Sequence, residues 1–154
     1  MTLFPEFSAS PSGSSILLSI KPMFANLIID GRKRVELRRA IPSQPISTIV
    51  IYSSSPVQAI VALATVREIV EASPSKLWAI SRDNGGGLTR AALMAYFESK
   101  KVGYALMLDN VRVFANPVTP TKFFKKFSAP QSFRYLTPKD MQKLEQILEL
   151  ENHK

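Results

Sequence analysis

Cysteine is absent from this 154-residue chain, and the single histidine, His153, is next to the last residue. Without thiols there is no disulfide, no thiolate nucleophile, no cysteine zinc site and no iron–sulfur cluster. Without an internal imidazole there is no histidine base for hydrolysis and no histidine-based metal site. Tryptophan occurs once and glycine only 6 times. No apolar run approaches the roughly 18 residues that a membrane span needs. The stretch Met1–Glu6 has neither the basic nor the apolar region of a secretory signal. The expectation is a cytoplasmic protein with no membrane partner and no cofactor.

Acidic charge is also scarce. Lysine and arginine number 20 against 12 aspartates and glutamates, for a net charge of +8. A balance of that size favours anionic partners, nucleic acid first. The 45% hydrophobic and 21% charged content fits one globular domain with a real core.

The charge is concentrated in Gly31-Arg32-Lys33-Arg34-Val35-Glu36-Leu37-Arg38-Arg39, where five cations and one carboxylate share nine residues. Alternation over Arg34–Arg38 predicts a strand with Val35 and Leu37 buried and Arg34, Glu36 and Arg38 on an open face. Arginines held on a strand suit bidentate contact with phosphates or base edges.

Around it, residues 1–14 lack periodicity and read as a flexible N-terminal arm. Ile16–Ile20 reads as a strand, and Pro22 opens a short helix that runs toward Gly31 with Phe24, Leu27 and Ile28 on one face. After a Pro/Ser loop, Thr48–Ser53 reads as a strand, and Gln58–Val70 as a longer, bent or bulged one. Ser73-Pro74 caps a helix through about Ser81, which Asn84-Gly85-Gly86-Gly87 ends in a flexible loop. Thr89 caps another helix, with Leu93, Tyr96 and Phe97 on one face. Tyr104–Phe114 reads as an alternating strand or as a tight hairpin around Asp109-Asn110. Thr137-Pro138 starts a C-terminal helix with Met141, Leu144, Ile147 and Leu148 at helical spacing. The division is an arm at 1–14, a domain at 15–137 and a C-terminal helix at 138–154, packed on the domain or extending from it. The class is α+β.

Several pieces in order resemble the ASCH domains of the PUA-like superfamily. They are Leu18-Ser19-Ile20-Lys21-Pro22, a Gly-x-Lys-x-x-Glu-x-Arg signature from Gly31 to Arg38, Ile51-Tyr52-Ser53-Ser54-Ser55-Pro56, and the strand from Tyr104 entering Val113-Phe114-Ala115-Asn116-Pro117. The tail Ala129-Pro130-Gln131-Ser132-Phe133-Arg134-Tyr135-Leu136 is similar to that of a bacterial and phage subgroup. The resemblance implies a small mixed PUA-like β-barrel with helices inserted between strands. It also implies a cleft beside the first helix and basic strand that holds RNA or a modified nucleobase, in a role in RNA regulation. One branch of the family hydrolyses acetylated cytidine with a Lys, a Thr three residues later and a Glu near the second helical region. Lys33 matches that Lys, Glu36 stands where the Thr would be, and only Asp83 is acidic between Ser81 and Thr89. Other members are ribonucleases.

The first reading is therefore a binder of RNA, a nucleobase or a nucleoside, with Lys33, Glu36 and Arg38 on the floor of the cleft. Arg32, Arg34 and Arg39 form a basic rim. Tyr52 and Ser53 are candidates for stacking and phosphate contact. Lys122, Lys125 and Lys126, interleaved with phenylalanines, are candidates for tracking a backbone, or form a strap whose aromatics pack while its lysines stay wet. The alternative is a hydrolase, an acylated-cytidine amidohydrolase or a ribonuclease, with Lys33 and Glu36 catalytic. A protein adaptor would instead expose Met141, Leu144 and Leu148 as an apolar stripe. The bland counterparts are a solvated lysine at a helix end, a surface ion pair of Glu36 with Arg38, and a core Tyr52. Gly85-Gly86-Gly87 lacks the Lys-Ser/Thr of a phosphate loop.

Overall fold

The computed structural model describes residues 13–122, 124, 126–130 and 133–152. Residues 1–12, which hold most of the expected arm, lie outside these, as does Lys125. In chain order the elements are β1 (Ser14–Ile20), α1 (Pro22–Ile29), β2 (Val35–Arg38), β3 (Ile46–Ser53), β4 (Ala59–Ala72), α2 (Pro74–Asp83), α3 (Arg90–Tyr96), β5 (Gly103–Val118), β6 (Phe133–Leu136) and α4 (Pro138–Asn152), with a 3₁₀ turn at Pro120–Lys122 before β6. Ser14, expected at the end of the arm, already pairs with Ile46.

The strands form one six-stranded sheet in the order β2-β5-β4-β3-β1-β6. Among the described residues only β1 and β3 run parallel. Alternation along β1 divides the core. Ile16, Leu18 and Ile20 pack with Ala25 and Ile28 of α1, whereas Leu17 packs with Val50, Leu63 and Leu144 and Leu148 of α4. This is the period-2 signature of a strand covered on both faces. A further cluster joins Val35 and Leu37 of β2 to Leu77 and Leu93 on the helices α2 and α3, and to Phe97. Leu144 and Leu148 are buried, so the apolar stripe an adaptor would expose is spent on the core.

The sheet is open, which corrects the expected barrel. The edges β2 and β6 have 4 residues each and do not pair with one another. On the outer side of β1, β6 covers Ser15 to Leu18 and stops short of Ser19. A closed ring would need the β2 edge to pair with that side of the sheet, and among the described residues it does not.

Of the two readings of Tyr104–Phe114, the strand holds and the hairpin does not. β5 is one 16-residue strand along β4. Thr65 faces Asp109 while Leu63 faces Arg112, so one extra residue on β5 forms a bulge. Asn110 takes φ +48°, and its N–H donates to Asp109 Oδ1 at 2.9 Å. Asparagine tolerates that left-handed conformation. The long β4 partner continues past the bend, so the chain kinks there without reversing.

Ser73 and Thr89 cap α2 and α3 as expected, their hydroxyls accepting from Lys76 N and Ala92 N. Among the described residues no helix is long and apolar enough to cross a membrane.

Candidate functional site

The turn from α1 into β2 places the basic signature against the loop that joins α2 to α3. Arg34 N–H donates to the Asn84 carbonyl at 2.8 Å, and Gly86 N–H donates to the Ser81 carbonyl at 2.8 Å. Gly85 has φ +65°, and a Cβ there would strike the Arg32 carbonyl. A Cβ on Gly86 would fall on the Ser81 hydroxyl. The glycines therefore permit close backbone approach, and the expected flexible loop is a packed turn.

Lys33 enters this junction. It is 3% exposed, and its Nζ donates to the Gly86 carbonyl at 2.6 Å. The same Nζ lies 3.5 Å from Glu36 Oε1 and 5.3 Å from the centre of the Phe24 ring. Glu36 Oε2 lies 3.0 Å from Arg38 Nη2, which also donates to the Ser19 carbonyl at 3.2 Å. Arg38 Nε is buried with no partner among the described residues. The result is a cation–anion–cation row along one side of β2. Desolvation pushes the Lys33 ammonium below its ordinary pKa, helped by Arg38 and opposed by the carboxylate of Glu36.

The face expected to be open is thus mostly enclosed: Glu36 is 8% exposed. Phe24 of α1 sits beside Lys33, and Ala92, Ala95 and Tyr96 of α3 line the same space. The cleft that remains, about 490 Å³, is lined by the row, by Ser19, Ile20 and Lys21 at the end of β1, by Phe24, and by Leu88, Ala92, Ala95 and Tyr96 from the α3 side. Such a volume lies within the range of about 300–1,000 Å³ usual for small-molecule sites. One wall is charged and the other is apolar and aromatic. At the rim, the Arg39 guanidinium sits 5.1 Å from the centre of the Tyr96 ring, and the Tyr96 hydroxyl reaches the Leu37 carbonyl at 3.4 Å.

The structure thus brings Lys33, Glu36 and Arg38 to one cleft, with Arg39 beside it. Arg32 and Arg34 are exposed on the preceding turn. Tyr52 and Ser53 do not line the cleft. Tyr52 is buried with the α4-side core and sits 5.2 Å from the Phe127 ring. Lys122 and Lys126 are exposed while Phe124 between them is buried in that same core, the arrangement of a strap. Lys21, Phe24, Ala92, Ala95 and Tyr96 were not singled out for the cleft from the sequence. The spacing that put Tyr96 on the α3 face with Leu93 and Phe97 was the available signal. Asp83 pairs with Arg82 on the surface and does not line the cleft. Among the described residues no group of three or more His, Cys, Asp or Glu side chains is placed to hold a metal ion.

An open mixed sheet whose first helix and α3 bracket a Gly-x-Lys-x-x-Glu-x-Arg strand is the architecture of an ASCH domain. The chain belongs to the ASCH domain family, whose sequence model matches residues 18–112. It is 29% identical over 141 residues to an "ASCH domain-containing ribonuclease" of Zymomonas mobilis, covering 87% of this chain and 92% of that protein. The crystal structure of ASCH from Zymomonas mobilis superposes with a TM-score of 0.79 at 28% identity, over 87% of this chain and 95% of that one. The N-terminal domain of Staphylothermus marinus McrB, at 12% identity and a TM-score of 0.53 over 86% of this chain and 93% of that one, shares the fold alone.

Proposed function

We propose that this protein binds single-stranded RNA by taking a base into the cleft between β2 and α3. The observation that carries the reading is the hydrogen-bonded row of Lys33, Glu36 and Arg38 facing an apolar wall that includes Tyr96. A planar base needs both surfaces, an edge to hydrogen-bond and a face to cover. Lys21 and Arg39 at the mouth, with Arg32 and Arg34 nearby, supply positive potential for phosphates. The net charge of +8 and a relative named as a ribonuclease support a nucleic-acid partner. The test is a titration of fluorescently labelled single-stranded RNA at low salt, with wild type and Arg38→Ala. Wild-type binding weakened at least about tenfold in the variant is expected, from the loss of charge-assisted bonds. Equal binding by the two proteins removes the cleft from the reading.

A second reading, RNA hydrolysis, is favoured by the name of that relative and by a buried lysine with a lowered pKa. Lys33 would be its reactive group and Glu36 its partner. Its test is the time course of RNA cleavage by wild type and Lys33→Ala. Cleavage by the wild type that disappears in a folded variant makes the protein an enzyme.

A further inference from the structure

We infer that the cleft selects bases that present an imide edge, as uracil does, over cytosine and adenine. The inference rests on the base-binding reading above and adds the chemical class of the base. The row alternates in sign: Lys33 Nζ, then the Glu36 carboxylate, then the Arg38 guanidinium. In hydrogen-bonding terms it is donor, acceptor, donor.

Capacity remains on each member. The Lys33 ammonium has three N–H groups, and its bonds to Gly86 and Glu36 use two, which leaves one. The Arg38 contacts to Glu36 and Ser19 both run through Nη2, which leaves the Nη1 side of the fork. Glu36 touches one cation through each oxygen, and a carboxylate has about four acceptor sites.

The complement of donor–acceptor–donor is acceptor–donor–acceptor. The N3 edge of uracil has that order, with an N–H between two carbonyl oxygens. Cytosine would set its N3 lone pair against the Glu36 carboxylate and its amino group against a cation. Adenine has the same two conflicts. Guanine satisfies one cation and the carboxylate, but turns its amino group toward the other cation. Each conflict leaves a desolvated polar group unpaired, the larger penalty in recognition. The apolar wall of Ala92, Ala95 and Tyr96 covers a ring without reading it.

The test uses the full chain and tetranucleotides of uridylate, cytidylate, adenylate, 5-methyluridylate and N3-methyluridylate, titrated by calorimetry at one salt concentration. Methylation at N3 removes the central donor, whereas methylation at C5 leaves the imide edge intact. Uridylate and 5-methyluridylate are expected to bind within about threefold of one another, and the other three at least about tenfold more weakly. Glu36→Gln, checked for folding by circular dichroism, is expected to erase the preference for uridylate over cytidylate, because an amide offers both donor and acceptor. Binding of all five with equal affinity overturns the imide assignment and leaves base binding standing. Tighter binding of N3-methyluridylate or cytidylate also overturns it. Absence of binding by every tetranucleotide overturns the imide assignment and the base-binding reading together.

Discussion

Lys33 and Gly86, 53 residues apart in the chain, are joined by a hydrogen bond of 2.6 Å from the lysine ammonium to the glycine carbonyl. The bond ties the turn that enters β2, whose strand continues the charged row, to the turn before α3, which carries the apolar wall. It makes Lys33 a positioning residue for the cleft as well as a member of its row. Its amine is enclosed by protein, not held in water as a lysine past a helix end commonly is.

The enclosure has a pH signature. Burial lowers the folded-state pKa of Lys33 below the ordinary 10.5. Between that lowered value and 10.5 the unfolded chain binds more protons than the folded one, so this group makes stability rise with pH in that window. Against Lys33→Met, which has no such proton, wild type is expected to gain relative stability as pH rises toward 10.5. Paired urea denaturations across the alkaline range measure it. A constant difference would mean that the Lys33 ammonium is as comfortable folded as unfolded.

Arg38 and Arg39 are adjacent cations with different geometry. Arg38 bridges Glu36 and Ser19, while Arg39 lies over Tyr96 at the rim. Arg38→Lys keeps the charge but loses the fork. It is expected to weaken RNA binding by at least about tenfold, against less than about threefold for Arg39→Lys. Anisotropy titrations of the two variants at one ionic strength decide it; equal losses would reduce the site to bulk charge.

If phosphates are neutralised at the mouth of the cleft, the logarithm of the binding constant should fall linearly with the logarithm of salt concentration. The expected slope is about −0.7 per phosphate contacted on a single strand. Lys21→Gln with Arg39→Gln should make the slope shallower. A slope near zero would leave no phosphate contact.

Glycine substitutions should separate backbone approach from mere turn geometry. Gly31 has φ +80° but open space around its missing Cβ, so Gly31→Ala is expected to cost about 1 kcal/mol. Gly85→Ala adds collision with the Arg32 carbonyl to a φ of +65° and is expected to cost more than about 2 kcal/mol. Urea midpoints of the two variants check the order.

Acetylcytidine turnover is expected to be absent or weak. Position 36 holds a carboxylate side chain where the amidohydrolase branch has a threonine hydroxyl, and the Lys33 amine is engaged by Gly86. Incubation with acetylated cytidine and chromatography for released cytidine is the measurement. Turnover that vanishes in Lys33→Ala would establish an amidohydrolase with a rewired partner.

Much of this was legible in the chain because short-range rules govern it. Val35 and Leu37 alternate with Glu36 and Arg38, and the strand forms with those faces. Ser73 and Thr89 each sit three residues before the amide they cap, and both helices start there. Asp109-Asn110 left strand and hairpin open because its local chemistry fits a turn equally well, and only the length of β4 decides for a bulged strand. The signature pointed to the cleft floor, but the opposite wall comes from α3. The Tyr96 to Leu37 contact spans 59 residues, and no periodicity within either segment encodes that meeting. Barrel closure failed for a similar reason, since it depends on whether the edge strands β2 and β6, about 100 residues apart in the chain, meet.

The bridge from Arg38 ends on a main-chain oxygen, that of Ser19. Every amino acid supplies that atom, so the contact is blind to the residue at its receiving end. Mutational drift at position 19 can reshape the lip of the cleft while the link between β1 and β2 persists. Position 38 has no such freedom. A library randomised at both positions and sorted for RNA binding should therefore yield binders with many kinds of residue at 19 and almost solely arginine at 38, which makes Ser19 the place to retune what enters without loosening the frame.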